Sequence, residues 1–290
     1  MPDAPTFTAE PFVDGLHYGE GPRWHDGRLW YSDFYDAAVF SVGDDGHPRP
    51  EVDVPTRPSG LGWLPDGRLL VVSMRDRTLL RREPDGTLVR HADLSPWANW
   101  PANDMLVDSR GRAYVGNFGF DLEGFFERRV EPATTSLVRV DPDGTACEAA
   151  TGLGFPNGTV LTPDERTMVI AETFALQLTA FDVAADGSLS NRRVWASLGD
   201  CAPDGICLDA EGCVWVANAL AAECRRVAEG GEVVGRVVTG QSCFACMLGG
   251  PDRRNLYCCT APTSQASEAS KARNGRIERV EVEVPGAGLP

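Results

Sequence analysis

The sequence predicts an all-β chain folded as one six-bladed β-propeller. Three observations predict it. A pattern of two apolar stretches around an Asp, Gly or Pro turn recurs six times. The copies, compared at Leu29, Leu69, Ala113, Met168, Val214 and Leu256, are 40, 44, 55, 46 and 42 residues apart. A second turn follows most copies, which makes about four short strands per unit, and a period of roughly 40–50 residues with four strands is a propeller blade. Thirty-one Gly and twenty-one Pro suit many short strands better than long helices.

The units run in order along the chain. The first reads Gly-Pro-Arg-Trp-His-Asp-Gly-Arg-Leu-Trp-Tyr-Ser-Asp (21–33) and turns again at Gly43-Asp44-Asp45-Gly46. The second occupies 60–73 with a turn at Pro84-Asp85-Gly86, and the third 104–117 with Pro142-Asp143-Gly144. The fourth occupies 158–172 with Ala185-Asp186-Gly187, and the fifth 205–218 with Glu229-Gly230-Gly231. The sixth occupies 247–260. The opening segment, near residues 6–13, is expected to supply a strand to this last blade and close the ring without exposed edges. The wide 55-residue spacing comes from an insertion at 118–135 that holds Phe118, Phe120, Phe125 and Phe126 and is expected to act as a lid. Six copies fill residues 1–290, so one domain is expected. No WD dipeptide stands at the positions a WD40 blade requires.

The net charge is −15. So acidic a chain is repelled by phosphate backbones and anionic lipid, which excludes nucleic acid and membrane surfaces as partners. Residues 1–5, Met-Pro-Asp-Ala-Pro, show no basic and then apolar leader, and no apolar run reaches the roughly 20 residues that cross a bilayer. Nine cysteines, eight of them after residue 200, form no even disulfide framework. A reducing, cytoplasmic setting and a monomer are expected.

Because the units repeat, equivalent positions can be compared within the one chain. Nine to twelve residues before the reference positions stand Glu20, Ser59, Asn103, Asn157, Asp204 and Phe244. The first strand of each blade lines the central channel, so these residues converge on the axis at one mouth. Two carboxylates and two carboxamides meeting there repel one another unless they share a cation. Oxygen ligands suit a hard ion, and Glu20 with Asp204 would neutralise one divalent charge. Ca²⁺ is the first choice, with Mg²⁺, Mn²⁺ or Zn²⁺ as alternatives. A central metal channel is therefore expected.

Gly19-Glu20-Gly21-Pro22-Arg23-Trp24, the Asn103-Asp104 pair, Pro156-Asn157-Gly158 and Pro203-Asp204-Gly205 together resemble the senescence marker protein/regucalcin/gluconolactonase family. The resemblance runs from Glu20 to about Thr260. It implies a six-bladed propeller holding one divalent cation, and an enzyme that hydrolyses sugar lactones; a related branch hydrolyses organophosphates. It implies Glu20, Asn157 and Asp204 as metal ligands, with Asn103 as a fourth ligand or substrate contact. Asp204 becomes the general base, and Asp104 and Asp121 fall at substrate-binding positions. Pro101 stands where animal aldonolactonases of this family carry an Arg, so the recognition of a polyhydroxylated ring by that Arg is absent here.

The expected chemistry is Lewis-acid activation of a lactone carbonyl, with water attack assisted by Asp204. A phosphoester hydrolase on the same site and a non-catalytic metabolite-binding propeller with a structural cation are the alternatives. The segment 93–104, with Trp97 and Trp100, enters the mouth before Asn103. Trp100 and Phe120 are expected to face the substrate. His17, near Glu20, is a candidate support for the site. Cys243-Phe-Ala-Cys246 with Cys258-Cys259 has the wrong spacing for a zinc ribbon, and these four are read as buried strand cysteines, as are Cys201, Cys207, Cys213 and Cys224. No Ser-His-Asp constellation, Walker loop or dinucleotide fingerprint is present.

Overall fold

In the computed structural model, which describes residues 4–288, the repeats become six antiparallel sheets arranged as the blades of a propeller. Blades 1 to 5 span residues 19–53, 58–93, 102–153, 156–197 and 203–238, each with its strands in chain order from the axis outward. Blade 6 begins with Ser242–Gly249, Asn255–Ala261 and Gly275–Glu281, and its outer strand is Glu10–Leu16 from the start of the chain. The ring is thus closed by the opening segment, but not with the expected bounds. Thr6–Thr8 turns away at buried Ala9 and pairs in parallel with Val233–Val238 as a fifth strand of blade 5. The N-terminal segment so ties blade 5 to blade 6. Among the described residues no helix is long and apolar enough to cross a membrane.

The apolar residues of the inner strands face neighbouring blades rather than one central core. Leu70, Val72, Met105 and Val115 pack between blades 2 and 3, and Leu106, Leu161 and Ile170 between blades 3 and 4. Trp97 joins the first of these clusters instead of walling the mouth, as its large apolar ring is better satisfied there. The polar residue that ends each repeat, Asp33, Ser73, Asn117, Glu172, Asn218 and Thr260, stands at the last or next-to-last position of the second strand of its blade and is buried in all six. Asp33 accepts backbone N–H bonds from His17, Tyr18, Tyr35 and Asp36, and Asn218 accepts from Ala202 and Leu220. These side chains knot the mouth loops, whose own N–H groups have no ladder to join.

Each inner strand also carries a register break at the position picked out by the repeat. The pairing skips between Glu20 and Arg23, Pro58 and Leu61, Ala102 and Met105, Pro156 and Thr159, Pro203 and Ile206, and Cys243 and Ala245. A bulge re-aims the side chain it contains. Here it frees the residue from the alternation of the sheet. The glycine that follows lets adjacent blades approach: a Cβ on Gly158 would stand 2.5 Å from the Ile206 nitrogen of the next blade. Blade 3 has Asp104 in place of that glycine, and Gly116 makes the close approach instead, against the Pro156 carbonyl.

Candidate active site at the mouth of the channel

The bulges bring Glu20, Asn103, Asn157 and Asp204 to the channel, each at most 8% exposed, with Ser59 and Phe244 completing the ring. Asn157 Nδ2 donates to Asp204 Oδ1 and, at 3.2 Å, to Thr173 Oγ1, while Thr173 Oγ1 donates to the Pro203 carbonyl at 2.7 Å. This fixes the amide orientation so that Asn157 Oδ1 accepts no hydrogen bond among the described residues. Glu20 Oε2 accepts from the Gly21 N–H at 3.0 Å, and Oε1 accepts none. Asp204 Oδ2 likewise accepts none. Three hard oxygens are therefore left without donors among the described residues.

Burial pushes the Glu20 carboxyl well above the ordinary range, and the charges of Asp204 and Asp104 push it further. Asp204 is raised by burial and then by Asp104, against the opposing Asn157 bond. Burial, and then the charges of Glu20 and Asp204, raise the Tyr18 phenol. A set that resists ionisation alone and offers free oxygens matches a divalent cation of the hard class. The Nδ2 of Asn103 is buried with no hydrogen-bond partner, although Ser59 Oγ reaches its Oδ1 at 3.5 Å. A buried donor left unpaired is unfavourable, so this amide suits an oxygen acceptor that arrives from outside.

Asp104 faces a different partner. Arg23 Nη2 donates to its Oδ1 at 2.7 Å, with both side chains almost fully buried. Arg23 also reaches the opposite end of the channel, where with His25, Leu61, Trp63 and Val107 it lines a cleft of about 150 Å³. The pair spans the floor beneath the polar ring. Asp121 caps the one-turn helix Leu122–Phe126 by accepting from the Gly124 N–H at 3.0 Å. Phe120 is buried in an aromatic cluster, 4.9 Å from Phe174 and 5.9 Å from Phe125 and Phe155 between ring centres. Trp100 is 40% exposed on the loop before Ala102. The His17 ring is engaged by the Ala269 and Ala272 carbonyls and stands 3.8 Å from Asp36, so it serves the C-terminal loop and not Glu20.

Sequence reasoning missed a second ring. The residue that follows each of the buried polar residues Asp33, Ser73, Asn117, Glu172, Asn218 and Thr260 is Phe34, Met74, Phe118, Thr173, Ala219 and Ala261, at one register of the repeat. Five of these, with Tyr18, Tyr35 and Phe244, gather in one apolar cluster. Its bulk is uneven, large from blades 1 to 3 and small from blades 4 to 6. The same comparison between copies, moved one strand along, would have found it. Arg23 carried no such signal, because no other copy has a cation at its position.

The family model for the SMP-30/gluconolactonase/LRE-like region matches residues 18–262. The pentonolactonase XacC of Haloferax volcanii is 28% identical over 287 residues, covering 92% of each chain. A regucalcin of Xenopus laevis is 27% identical over 258 residues, covering 84% of this chain and 83% of the relative. Among solved structures, a regucalcin from Agrobacterium tumefaciens, described as a calcium-binding protein, superposes with a TM-score of 0.80 at 20% identity over 99% of this chain and 98% of that one.

Proposed function

This chain belongs to the SMP-30/gluconolactonase/LRE-like family, and we propose that it is a metal-dependent lactonase that acts on a small lactone at the mouth of the channel. The observation that carries the reading is the ring itself. Four oxygen-bearing side chains from blades 1, 3, 4 and 5 stand on bulges at one register, with three oxygens and one amide donor left unpaired. Relatives named for pentonolactone and 6-deoxy-6-sulfogluconolactone hydrolysis support the reaction class.

Glu20, Asn157 and Asp204 would hold one divalent cation, with Asn103 as fourth ligand or substrate contact. Such a cation supplies Lewis-acid polarisation of the lactone carbonyl. Ca²⁺ is our first choice, as one structural neighbour is a calcium-binding protein. Asp204, whose Oδ1 is held by Asn157, assists the attack of water by taking its proton. Thr173 holds Asn157, and through it Asp204 Oδ1, in place. The Asn103 Nδ2 donor is placed to meet an oxygen of the substrate. The apolar ring above, including Phe34, Met74 and Phe244, keeps bulk water from the reacting carbonyl and gives the pocket an apolar wall. Asp104 is committed to Arg23 and Asp121 to its helix, so in this reading both act by positioning, Asp104 through the floor and Asp121 through the insertion.

The test is acid release from a panel of five- and six-membered lactones by chelated protein, before and after adding back Ca²⁺, Mg²⁺, Mn²⁺ or Zn²⁺ singly. Turnover restored by an ion, and lost in folded Asp204→Ala and Glu20→Gln, is expected. A folded Asp204→Ala with undiminished turnover would overturn the assignment.

A further inference from the structure

The cysteines outside the site are not scattered core fillers. Cys224 comes from the third strand of blade 5, Glu223–Val227. Cys243 lies on the inner strand of blade 6 and Cys258 on the strand beside it. All three are fully buried, and all nine cysteines of the chain are free thiols. The Cys224 sulfur stands 3.3 Å from that of Cys243 and 3.6 Å from that of Cys258, and the three lie within 4.8 Å of one another. Sequence spacing did not reveal this, because the group draws on two blades. It also skips Cys259, whose side chain points to the other face of its strand. Two of the sequence expectations change here: Cys213 is half-buried in a turn, and buried Cys201 lies in a loop, so neither is a buried strand cysteine.

We propose that Cys224, Cys243 and Cys258 form a thiolate site for one soft monovalent cation, Cu⁺, in the interface between blades 5 and 6. Edges of 3.3 and 3.6 Å with a third of at most 4.8 Å leave a point equidistant from the three sulfurs at about 2.0–2.4 Å, which brackets the usual metal–thiolate bond of about 2.3 Å. Three sulfurs and no oxygen or nitrogen ligand select a soft ion over those suited to the channel. Zn²⁺ seeks a fourth ligand. Cys246 also approaches Cys224, but it is directed to Cys207 at 3.9 Å and to the Trp215 carbonyl and is not among the sulfurs that all lie within 4.8 Å of one another. Three-coordinate Cu⁺ needs no fourth. Binding is substitution alone: each ligating thiol passes its proton to solvent as its sulfur bonds to copper, with no change in oxidation state. Bound copper would tie the two blades that the N-terminal strands also join.

The experiment uses full-length protein, chelated, reduced and resupplied with Ca²⁺, then titrated without oxygen with Cu⁺ as its acetonitrile complex against a chromophoric Cu⁺ chelator. A parallel sample is refolded with Cu⁺ present, since the thiols are enclosed. One equivalent withheld from the chelator, with a thiolate-to-copper charge-transfer band, is expected in at least one sample. Both signals should fall at least tenfold in Cys224→Ala and in Cys258→Ala, and persist in Cys147→Ala/Cys213→Ala, which lacks the two half-buried thiols. The proposal is overturned if neither sample withholds copper. It is equally overturned if copper is still withheld by folded Cys224→Ala/Cys258→Ala, or lost only with Cys147 and Cys213.

Discussion

Replacing Gly158 by alanine separates the geometry of the ring from its composition. The new Cβ would lie 2.5 Å from the Ile206 nitrogen, 2.7 Å from the Asp204 carbonyl oxygen and 2.8 Å from Gly205 Cα. Ordinary contacts of this kind begin near 3.4 Å, so the neighbouring inner strand must withdraw by roughly 0.6–0.9 Å. Every atom in the way is backbone, which cannot swing aside as a side chain does. Overpacking of this sort costs about 1–3 kcal/mol. For a chain of this length, at about 2 cal/mol/K of unfolding entropy per residue, that lowers the melting temperature by roughly 2–5 °C.

The displaced strand carries Asp204, while Asn157 stays with blade 4. Ca²⁺–oxygen bonds occupy a window only about 0.3 Å wide, so the shift removes Asp204 from any sphere it shares with Asn157. Ca²⁺ affinity should fall at least tenfold although every ligand is retained. Calorimetric titration of chelated protein, with thermal unfolding in parallel, measures both effects. Gly67→Ala is the control. Gly67 sits in a turn at φ +85° with nothing within 4 Å of a new Cβ, so it should lose stability through backbone strain alone and keep its affinity. Unchanged Ca²⁺ affinity in Gly158→Ala would refute the claim that the close approach of blades 4 and 5 sets the ligand geometry.

Two further outcomes follow from groups away from the ligands. Arg23→Met strands Asp104 as a buried, unpaired carboxylate and should cost about 3–5 kcal/mol in urea unfolding, whereas Arg23→Met/Asp104→Leu should recover most of that loss; equal losses in both would show that the pair is not coupled. Burial holds the His25 imidazole, stacked 3.8 Å from Trp63, below its ordinary pKa, and burial with the Arg81 charge does the same to His91. The unfolded chain therefore takes up protons first on acidification. The stability these two contribute is complete above about pH 6.5 and declines as pH falls from there toward the lower folded values. His25→Gln/His91→Gln should flatten the slope of unfolding free energy between pH 7 and 5, and an unchanged slope would contradict the assignment.

What could be read from the chain is what the repeat makes redundant. Six turn signatures gave the blade count, and one register gave the residues at the axis, because equivalent positions in a propeller share a distance from it. Glu20, Asn103, Asn157 and Asp204 needed no knowledge of which blade touches which. The polar residue ending each unit was equally visible, though its work in knotting the mouth loops needed the hydrogen bonds at Asp33 and Asn218. Phe120 was expected at the substrate from proximity in sequence, and it buries its ring in an aromatic cluster, while half-buried Trp97, on the segment leading to Asn103, packs between blades 2 and 3.

Contacts between blades are a different kind of information. A blade's period says nothing of which side chain meets which across the gap, since each interface pairs two different copies once only. Arg23 reaches Asp104 across 81 residues, and Cys224 meets Cys258 across 34. The division of the opening segment at Ala9 belongs here too. Thr6–Thr8 and Glu10–Leu16 have no repeat partner to announce their places, and two edges stood open to receive them. The candidate active site is thus written in the part of the sequence that repeats. The floor under it, the clasp of the ring and the thiol triangle are written in single residues that gain their partners only when blades are set side by side. Because these partnerships join different blades, substitutions at Arg23, Gly158 or Cys224 test how the ring is assembled, while those at Glu20 and Asp204 test what it does.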